Sequence, residues 1–223
     1  MDEPVTDQTL TREGIESRLG SPLHLVDCDF DDVDLSGLDL SRWTFERCSL
    51  RRADLRRAKL EATSWLSCRG AFANFSSADM GEAKLVACDF NNASFRRAAL
   101  DGATFTRCKL TGCDLFEARA IDLRFDETLL VNAVLTGHSF RKVKLERLDF
   151  SQADLCKCDF RQATFEGCSL REANVDGARF DGADLRGADL GGLRLADARL
   201  FRGATISREQ AGQLLAELGL NVR

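Results

Sequence analysis

Nine cysteines are the residues of this chain whose type and spacing could support chemistry, because thiolates bind soft metals and exchange disulfides. Six of them fall on one series with a period of twenty: Cys28, Cys48, Cys68, Cys88, Cys108 and Cys168. The series indicates either a metal or redox column or a core column of small, polarizable side chains. Stacked side chains point the same way and the total is odd, so we expect reduced thiols in a core column rather than disulfides.

Other groups with catalytic potential are sparse. His24 and His138 are the two histidines, and neither lies in a nucleophile motif. No glycine-rich phosphate loop is present in the sequence. Cys156-Lys157-Cys158 alternates outward and inward, so these two thiols cannot serve one zinc ion. The sequence therefore predicts a protein that is not an enzyme, with no catalytic residues, no cofactor and no metal.

A five-residue repeat must position the cysteines. From Leu25 to Leu200, the residues whose numbers divide by five are 19 Leu and 12 Phe among 36 positions. Two places earlier stand mostly Ala and Cys, including eight of the nine cysteines. The pattern matches neither the helical period nor strict alternation, and it predicts short extended pieces separated by turns. Because stacked coils place equivalent residues above one another, the twenty-residue recurrence predicts four five-residue units per coil.

Units such as Ala183-Asp184-Leu185-Arg186-Gly187 resemble the pentapeptide-repeat family. The resemblance implies an all-β fold, a right-handed quadrilateral parallel β-helix with a C-terminal capping and dimerisation α-helix. About nine coils at about 4.8 Å each would span roughly 40 Å. The predicted organisation is an N-terminal cap (1–22), the repeat β-helix (23–203) and a C-terminal helix and tail (204–223).

Two segments within the repeat depart from the pattern. In 61–72, Trp65 and Gly70 occupy core positions. In 116–138, Ala120 occupies a core position and apolar residues fall at outward positions. Outward apolar residues indicate either a partner surface or local repacking, and both interpretations stay open. The candidate partner surface comprises Phe116, Glu117, Ile121, Asp122, Asp27, Asp31 and Asp32.

The aspartates of that set belong to an acidic run. Six Asp and no Lys or Arg occur between Leu23 and Ser41. Three of them (Asp29, Asp34 and Asp39) stand directly before a core residue, where Asp is simply the repeat consensus. The run is therefore open to a functional interpretation, as an acidic patch, and to a structural one.

The C-terminus departs from the repeat in a third way. Ser207 to Gln210 is a capping-box pattern, apolar residues follow at helical spacing, and Gly219 predicts the helix end. Such a helix would cover the unpaired end of the β-helix, and its surplus apolar face would either dimerise or remain a monomeric cap. The predicted dimer interface is Ala211, Leu214, Leu215, Leu218, Leu220 and Val222.

The stretch from Gln210 to Leu220 is similar to the end of a subgroup that confers resistance to topoisomerase poisons. Its members are the Qnr-type quinolone-resistance, albicidin-resistance and mycobacterial fluoroquinolone-resistance pentapeptide proteins. The resemblance implies a DNA-mimicking homodimer that binds DNA gyrase and/or topoisomerase IV and protects it from poisons. Quinolone-resistance members carry out-of-register loops, which this chain could form only at 61–72 or 116–131; without them it resembles loop-poor toxin-immunity members. The alternative is a non-enzymatic scaffold or regulator with a different protein partner.

Charge limits the extent of mimicry. A 40 Å duplex carries roughly 24 charges, whereas this chain has a formal net charge of -5. The sequence thus favours mimicry by shape with a local acidic patch over wholesale phosphate mimicry. It also predicts no direct nucleic acid binding. With no signal-peptide pattern and no apolar run of about 18 residues, we expect a cytoplasmic protein without membrane association.

Overall fold

The computed structural model describes residues 3–193, 198–217 and 219–222. The chain divides into two compact units, Met1–Thr128 and Leu129–Arg223. The first unit contains a seven-stranded sheet and a short helix, and the second contains a three-stranded sheet and a C-terminal helix. None of the described helices is long and apolar enough to cross a membrane.

Short parallel strands form one side of every coil in the first unit. They are β1 (Val5–Thr6), β2 (His24–Val26), β3 (Thr44–Glu46), β4 (Ser64–Leu66), β5 (Lys84–Val86), β6 (Thr104–Thr106) and β7 (Arg124–Asp126). Each pairs with the next strand in the register that the cysteine series predicts, as in Leu25 with Phe45. Bridges in the same register join Asp29 to Ser49, Asp34 to Asp54 and Asp39 to Lys59. A coil therefore has four sides, and the predicted parallel β-helix is confirmed.

We number the sides 1 to 4 from residues 24–26, 29–31, 34–36 and 39–41 and the equivalent positions of the other coils. The corners between sides have a left-handed backbone. From Asp27 to Gly182, every residue whose number ends in 2 or 7 has a positive φ, such as +61° at Asp32 and +70° at Gly37. For an L-residue this conformation costs roughly 1–2 kcal/mol. Hydrogen bonds to the next coil oppose that cost, as from the Asp32 amide to the Arg51 carbonyl at 2.9 Å.

Stacked aromatic rings fill the interior of the first unit. The rings of Phe45 and Trp65 lie 4.0 Å apart and nearly parallel, and those of Phe75 and Phe95 lie 4.9 Å apart. The buried Trp65 indole donates to the Thr63 hydroxyl at 2.9 Å, so its polar group is satisfied. The large residue of each unit thus builds a continuous core, as the five-residue period predicts.

Helix α1 (Arg12–Glu16) lies within the first coil, which begins with β1, and contacts the second coil. The Thr11 hydroxyl caps it by accepting from the Gly14 amide at 3.3 Å. Ile15 is fully buried, and the Arg12 guanidinium donates to the Ser36 carbonyl at 3.3 Å. This short helix is therefore attached to the coil by one apolar side chain and one arginine.

The second unit contains β8 (Lys144–Glu146), β9 (Thr164–Ser169), β10 (Asp184–Asp189), a 3₁₀ turn (Ala198–Phe201) and α2 (Arg208–Glu217). The strands are parallel in the order β8-β9-β10, and the β9–β10 register shifts around Gly187. A Cβ at Gly187 would lie 2.4 Å from the Phe165 carbonyl oxygen. Only glycine lets the two strands approach this closely.

The repeat register slips by one position in the last coil. Asp184 bridges to Thr205 rather than to Ala204, and the Phe180 ring stacks on Phe201 at 4.7 Å. Leu200, the last member of the series of large residues in the sequence, therefore does not continue the core column, because Phe201 takes its place. Residues 194–197, which include Leu195, lie outside the described residues.

Helix α2 begins with the predicted capping box. The Gln210 amide donates to the Ser207 hydroxyl at 3.1 Å, and the Ser207 amide donates to the Gln210 side-chain carbonyl at 2.7 Å. Gly219, at φ +80°, ends the helix, with hydrogen bonds from the Gly219 amide to Ala216 and from the Leu220 amide to Leu215. Both predicted ends of the C-terminal helix are thus confirmed.

Candidate interaction surface

The cysteine column belongs to the core. All nine cysteines are free, and only Cys156 is half-exposed. The column thiols lie against carbonyl groups of the preceding coil, as in Cys68 Sγ to Phe45 O at 3.3 Å. Burial raises the pKa of Cys168 and raises that of Cys113, which lies outside the column, to about 12. Among the residues that the structure describes, no group of three metal-ligating side chains converges.

The two histidines lie in different units. His24 is exposed, with Nε2 3.3 Å from Glu46 Oε2. His138 is 7% exposed, and its Nδ1 lies 3.0 Å from the Leu135 carbonyl oxygen. Its Nε2 has no hydrogen-bond partner among the described residues, and burial lowers the pKa of the ring. His138 is therefore a neutral core residue in a position usually held by Ala or Cys.

The acidic run of the sequence is paired with arginine in the fold. Asp27, Asp31 and Asp32 each bind the arginine at the equivalent position of the next coil, with N–O distances of 2.7, 2.6 and 2.5 Å to Arg47, Arg51 and Arg52. Hydrogen bonds from Arg47 and Arg52 lower the pKa of Asp27 and Asp32. Because the next coil supplies the cations, a patch that is acidic along the sequence is neutralised in space.

Phe116, Glu117, Ile121 and Asp122 spread over two sides of one coil. Phe116 ends side 3 and Ile121 ends side 4, while Glu117 and Asp122 follow at the corners. The Arg96 guanidinium covers the Phe116 ring at 4.9 Å, and Glu117 accepts from Arg97 at 2.7 Å. Ile121 is 66% exposed. Four coils, roughly 20 Å, separate this group from the paired aspartates, so the fold does not bring the two halves of the candidate surface together.

Neither irregular segment forms an out-of-register loop. Residues 64–66 pair with β5 throughout, and Arg119 and Leu129 keep their bridges to Ala99 and Asp149. At Gly70 the missing side chain is replaced by the Phe90 ring, which reaches within 2.3 Å of where a Cβ would stand. The segment 61–72 is thus locally repacked, with Leu66 and Phe72 exposed on the surface.

A row of carboxylates that the sequence analysis missed runs along one edge of the first unit. This acidic edge consists of Glu61 and Asp101 on side 4 and Glu82 and Asp122 at the adjoining corner. Asp101 pairs with Arg119, whereas the other three have no ion pair among the described residues. Writing the sequence in rows of one coil each would have revealed the edge, since Glu61 and Asp101 then share a column, as do Glu82 and Asp122.

The apolar residues predicted for the dimer interface differ in exposure. Leu214 is buried and Ala211 half-buried, whereas Leu215, Leu220 and Val222 are exposed. Leu218 lies outside the described residues. The exposed apolar surface of this end is therefore Leu215, Leu220 and Val222 on and after α2, joined by Ile206 before it.

Comparison with known families identifies the class of protein. The model of the pentapeptide repeats matches in eight copies over residues 25–64, 73–112, 108–147, 124–162, 149–187 and 163–202. These ranges cover most of the chain, which therefore belongs to the pentapeptide-repeat family. No curated protein sequence matches it significantly.

The solved structure of QnrB1 shares the fold. Full-length QnrB1, a plasmid-mediated fluoroquinolone resistance protein, is 22% identical with a TM-score of 0.68, over 90% of this chain and 100% of that chain. A trypsin-treated QnrB1 variant is 22% identical with a TM-score of 0.50, over 99% and 98%. HetL, from the cyanobacterium Nostoc sp. strain PCC 7120, is 24% identical with a TM-score of 0.37, over 90% and 84%. HetL is a pentapeptide-repeat protein involved in heterocyst differentiation regulation.

Proposed function

We propose that this protein is a cytoplasmic DNA mimic that binds DNA gyrase or topoisomerase IV and protects the enzyme from topoisomerase poisons. The observation that carries the proposal is the match to QnrB1 over the full length of that fluoroquinolone resistance protein. The protein acts without catalysis, cofactor or direct contact with nucleic acid. Its role is to occupy the surface on which DNA would lie.

The charge distribution supports mimicry of a local kind. Many aspartates of sides 2 and 3 are held by arginines, in line with a net charge of only -5. The acidic edge, by contrast, presents three carboxylates without an ion pair among the described residues. A DNA-binding protein surface is cationic because it must neutralise phosphates. The acidic edge is the part of this chain that such a surface would attract.

Dimerisation through the C-terminal end completes the proposal. Leu215, Leu220 and Val222 expose apolar surface next to one another in sequence, on and just after α2. Exposed apolar groups of this kind are stabilised by burial against a second copy, at about 25 cal/mol per Å². Two copies would double the surface offered to a two-fold symmetric enzyme.

A supercoiling assay with purified DNA gyrase tests the function, with a decatenation assay for topoisomerase IV. Each is run with and without a fluoroquinolone and with and without a natural-product poison. We expect fewer poison-induced DNA breaks when the protein is present. No binding, no inhibition and no protection for either enzyme would contradict the proposal.

A second candidate function is a scaffold or regulator for another protein. The paired Asp–Arg rows favour it, since they lack the uncompensated negative charge of a phosphate backbone. Absence of binding to both topoisomerases by a folded protein would favour this function over the first.

A further inference from the structure

Side 1 of the first unit carries few charges in its middle part, β4 to β6. Across β4, β5 and β6 the outward residues stack in two rows, Ser64-Lys84-Thr104 and Leu66-Val86-Thr106. Lys84 is the one charged side chain among these six, and Leu66 is 44% exposed. Low charge together with the exposed Leu66 distinguishes this part of the surface and indicates a binding surface.

The acidic edge borders this sheet surface directly. Its corner residues stack through hydrogen bonds from the Glu82 amide to the Asp101 carbonyl and from the Gly102 amide to Ile121, both 2.8 Å. Gly102 follows Glu82 in this stack, and a Cβ at Gly102 would lie 3.6 Å from Glu82 Cγ. Because glycine has no side chain, Gly102 does not cover Glu82, which is exposed. The Glu82 carboxylate is therefore left accessible beside the sheet.

The other edge of side 4 has the opposite character. This arginine edge consists of Arg56, Arg57, Arg96 and Arg97, at the end of side 3 and its corner to side 4. Arg56 pairs with Asp54 at 2.5 Å, Arg96 with Asp114 at 2.7 Å and Arg97 with Glu117 at 2.7 Å. Arg57 has no ion pair among the described residues. Three of its four arginines are thus neutralised, whereas three of the four carboxylates of the acidic edge are not, as far as the described residues extend.

We propose that side 1 of β4–β6 and the acidic edge together form the docking surface for a cationic protein surface that has an apolar centre. Charge complementarity selects this partner: basic groups would meet Glu61, Glu82 and Asp122, and an apolar group would cover Leu66 and Val86. The arginine edge, where three of the four arginines are already paired, offers a basic partner no unpaired carboxylate among the described residues. The inference rests on the proposed function and specifies which face meets the DNA-binding surface of the topoisomerase.

Binding of purified gyrase and topoisomerase IV to matched variants tests the docking surface. Glu82→Lys and Leu66→Asp change it, while Arg57→Glu and Phe72→Ser change exposed residues at other corners. Phe72 is 61% exposed, more than Leu66, so it controls for nonspecific apolar contact. Circular dichroism melting confirms that each variant remains folded.

We expect Glu82→Lys and Leu66→Asp to weaken binding roughly tenfold, and Glu82→Lys to flatten its salt dependence. Arg57→Glu and Phe72→Ser should bind as the parent does. If the parent binds, but the control variants lose affinity and the docking-surface variants keep it, the docking surface is wrong and the proposed function stands. Equal affinity for all five proteins leads to the same conclusion. If the parent binds neither enzyme, the proposed function is wrong and the docking surface with it. If the parent self-associates and Leu66→Asp does not, the surface belongs to a contact with a second copy of this chain.

Discussion

Gly70 shows how a single residue is accommodated by the core of the first unit. The position belongs to the large-residue series, yet the Phe90 ring of the next coil fills the space that a side chain would need. Protein cores are packed closely enough that one added methyl group is felt. Gly70 is therefore required by packing against Phe90, and not by a backbone conformation that favours glycine.

Gly70→Ala should lower the free energy of unfolding by about 1–3 kcal/mol, because its Cβ would collide with Phe90 Cε1. Urea unfolding followed by circular dichroism measures the change. Gly81→Ala is the matched control, since its Cβ would meet the nearest atom at an ordinary 3.5 Å, and it should stay within about 0.5 kcal/mol of the parent. Equal losses for both variants would contradict the packing argument.

His138 gives the second unit a dependence on pH. Burial lowers its pKa in the folded state, whereas the unfolded ring titrates at about 6.5. Between these two values the unfolded chain binds a proton that the folded chain does not. Stability should therefore fall as pH decreases from about 6.5 towards the folded-state pKa.

Urea unfolding at pH steps between about 7 and 5 measures that slope. His138→Ala, which restores a residue common in this position, should flatten it even if the variant is less stable overall. A slope that survives in His138→Ala would assign the effect to other groups.

At the scale of elements, α2 closes the edge of the last coil through two polar side chains, Gln210 and Glu217. The Gln210 amide group donates to the carbonyl oxygens of Leu185 at 2.7 Å and Ala188 at 2.6 Å while completing the capping box. Glu217 accepts from the Gly192 amide at 2.9 Å. An uncovered strand edge invites pairing with another chain, and these contacts occupy the groups that would pair.

Gln210→Leu should destabilise the second unit by about 1–3 kcal/mol, because it leaves buried carbonyl groups without donors and removes half of the capping box. Thermal unfolding measures the loss, and size-exclusion chromatography at rising concentration detects new association through the exposed edge. Gln213→Leu, an exposed glutamine on the same helix, should be nearly neutral. Comparable losses in the two variants would show that Gln210 has no special role.

The sequence predicts most of the elements because each coil repeats the same two inward positions. Large residues such as Phe45 and Phe95 mark the sides of a coil. The twenty-residue series of small residues that includes Cys68 and Cys108 gives the coil size. The slip before Phe201 escapes this reasoning, since Leu200 and Phe201 are both large and apolar. Ala204-Thr205-Ile206, a small–polar–large unit displaced by one, is the sequence signal of the slip.

The surface is less accessible to the same reasoning. Whether Asp31 is free or paired depends on Arg51 in the next coil, which adjacent sequence does not show. The period of one coil supplies that neighbour once it is applied to outward positions. The one-coil period predicts both the paired aspartates and the acidic edge. The identity of the binding partner does not follow from any period in the sequence.

At the scale of the whole molecule, the exposed apolar residues of the C-terminal end determine the predicted oligomeric state. Leu215→Asp combined with Leu220→Asp should convert a dimer to a monomer, because charges in an apolar interface are costly to bury. Light scattering coupled to size-exclusion chromatography measures the mass. Leu66→Asp, in the first unit, should leave the mass unchanged. A parent that is already monomeric would contradict the dimer.

Each coil of the first unit hydrogen-bonds to the coils immediately before and after it, as when the Asn74 amide donates to Ala53 in the preceding coil and the Phe75 amide donates to Ser94 in the following coil. Because each coil contacts only its neighbours, we expect such a stack to unfold coil by coil, starting at the first coil. The amide of Leu10, in the first coil, should then exchange its hydrogen with water well before that of Phe75. Ile15, buried in the first coil, is the side chain whose packing opposes this first opening step.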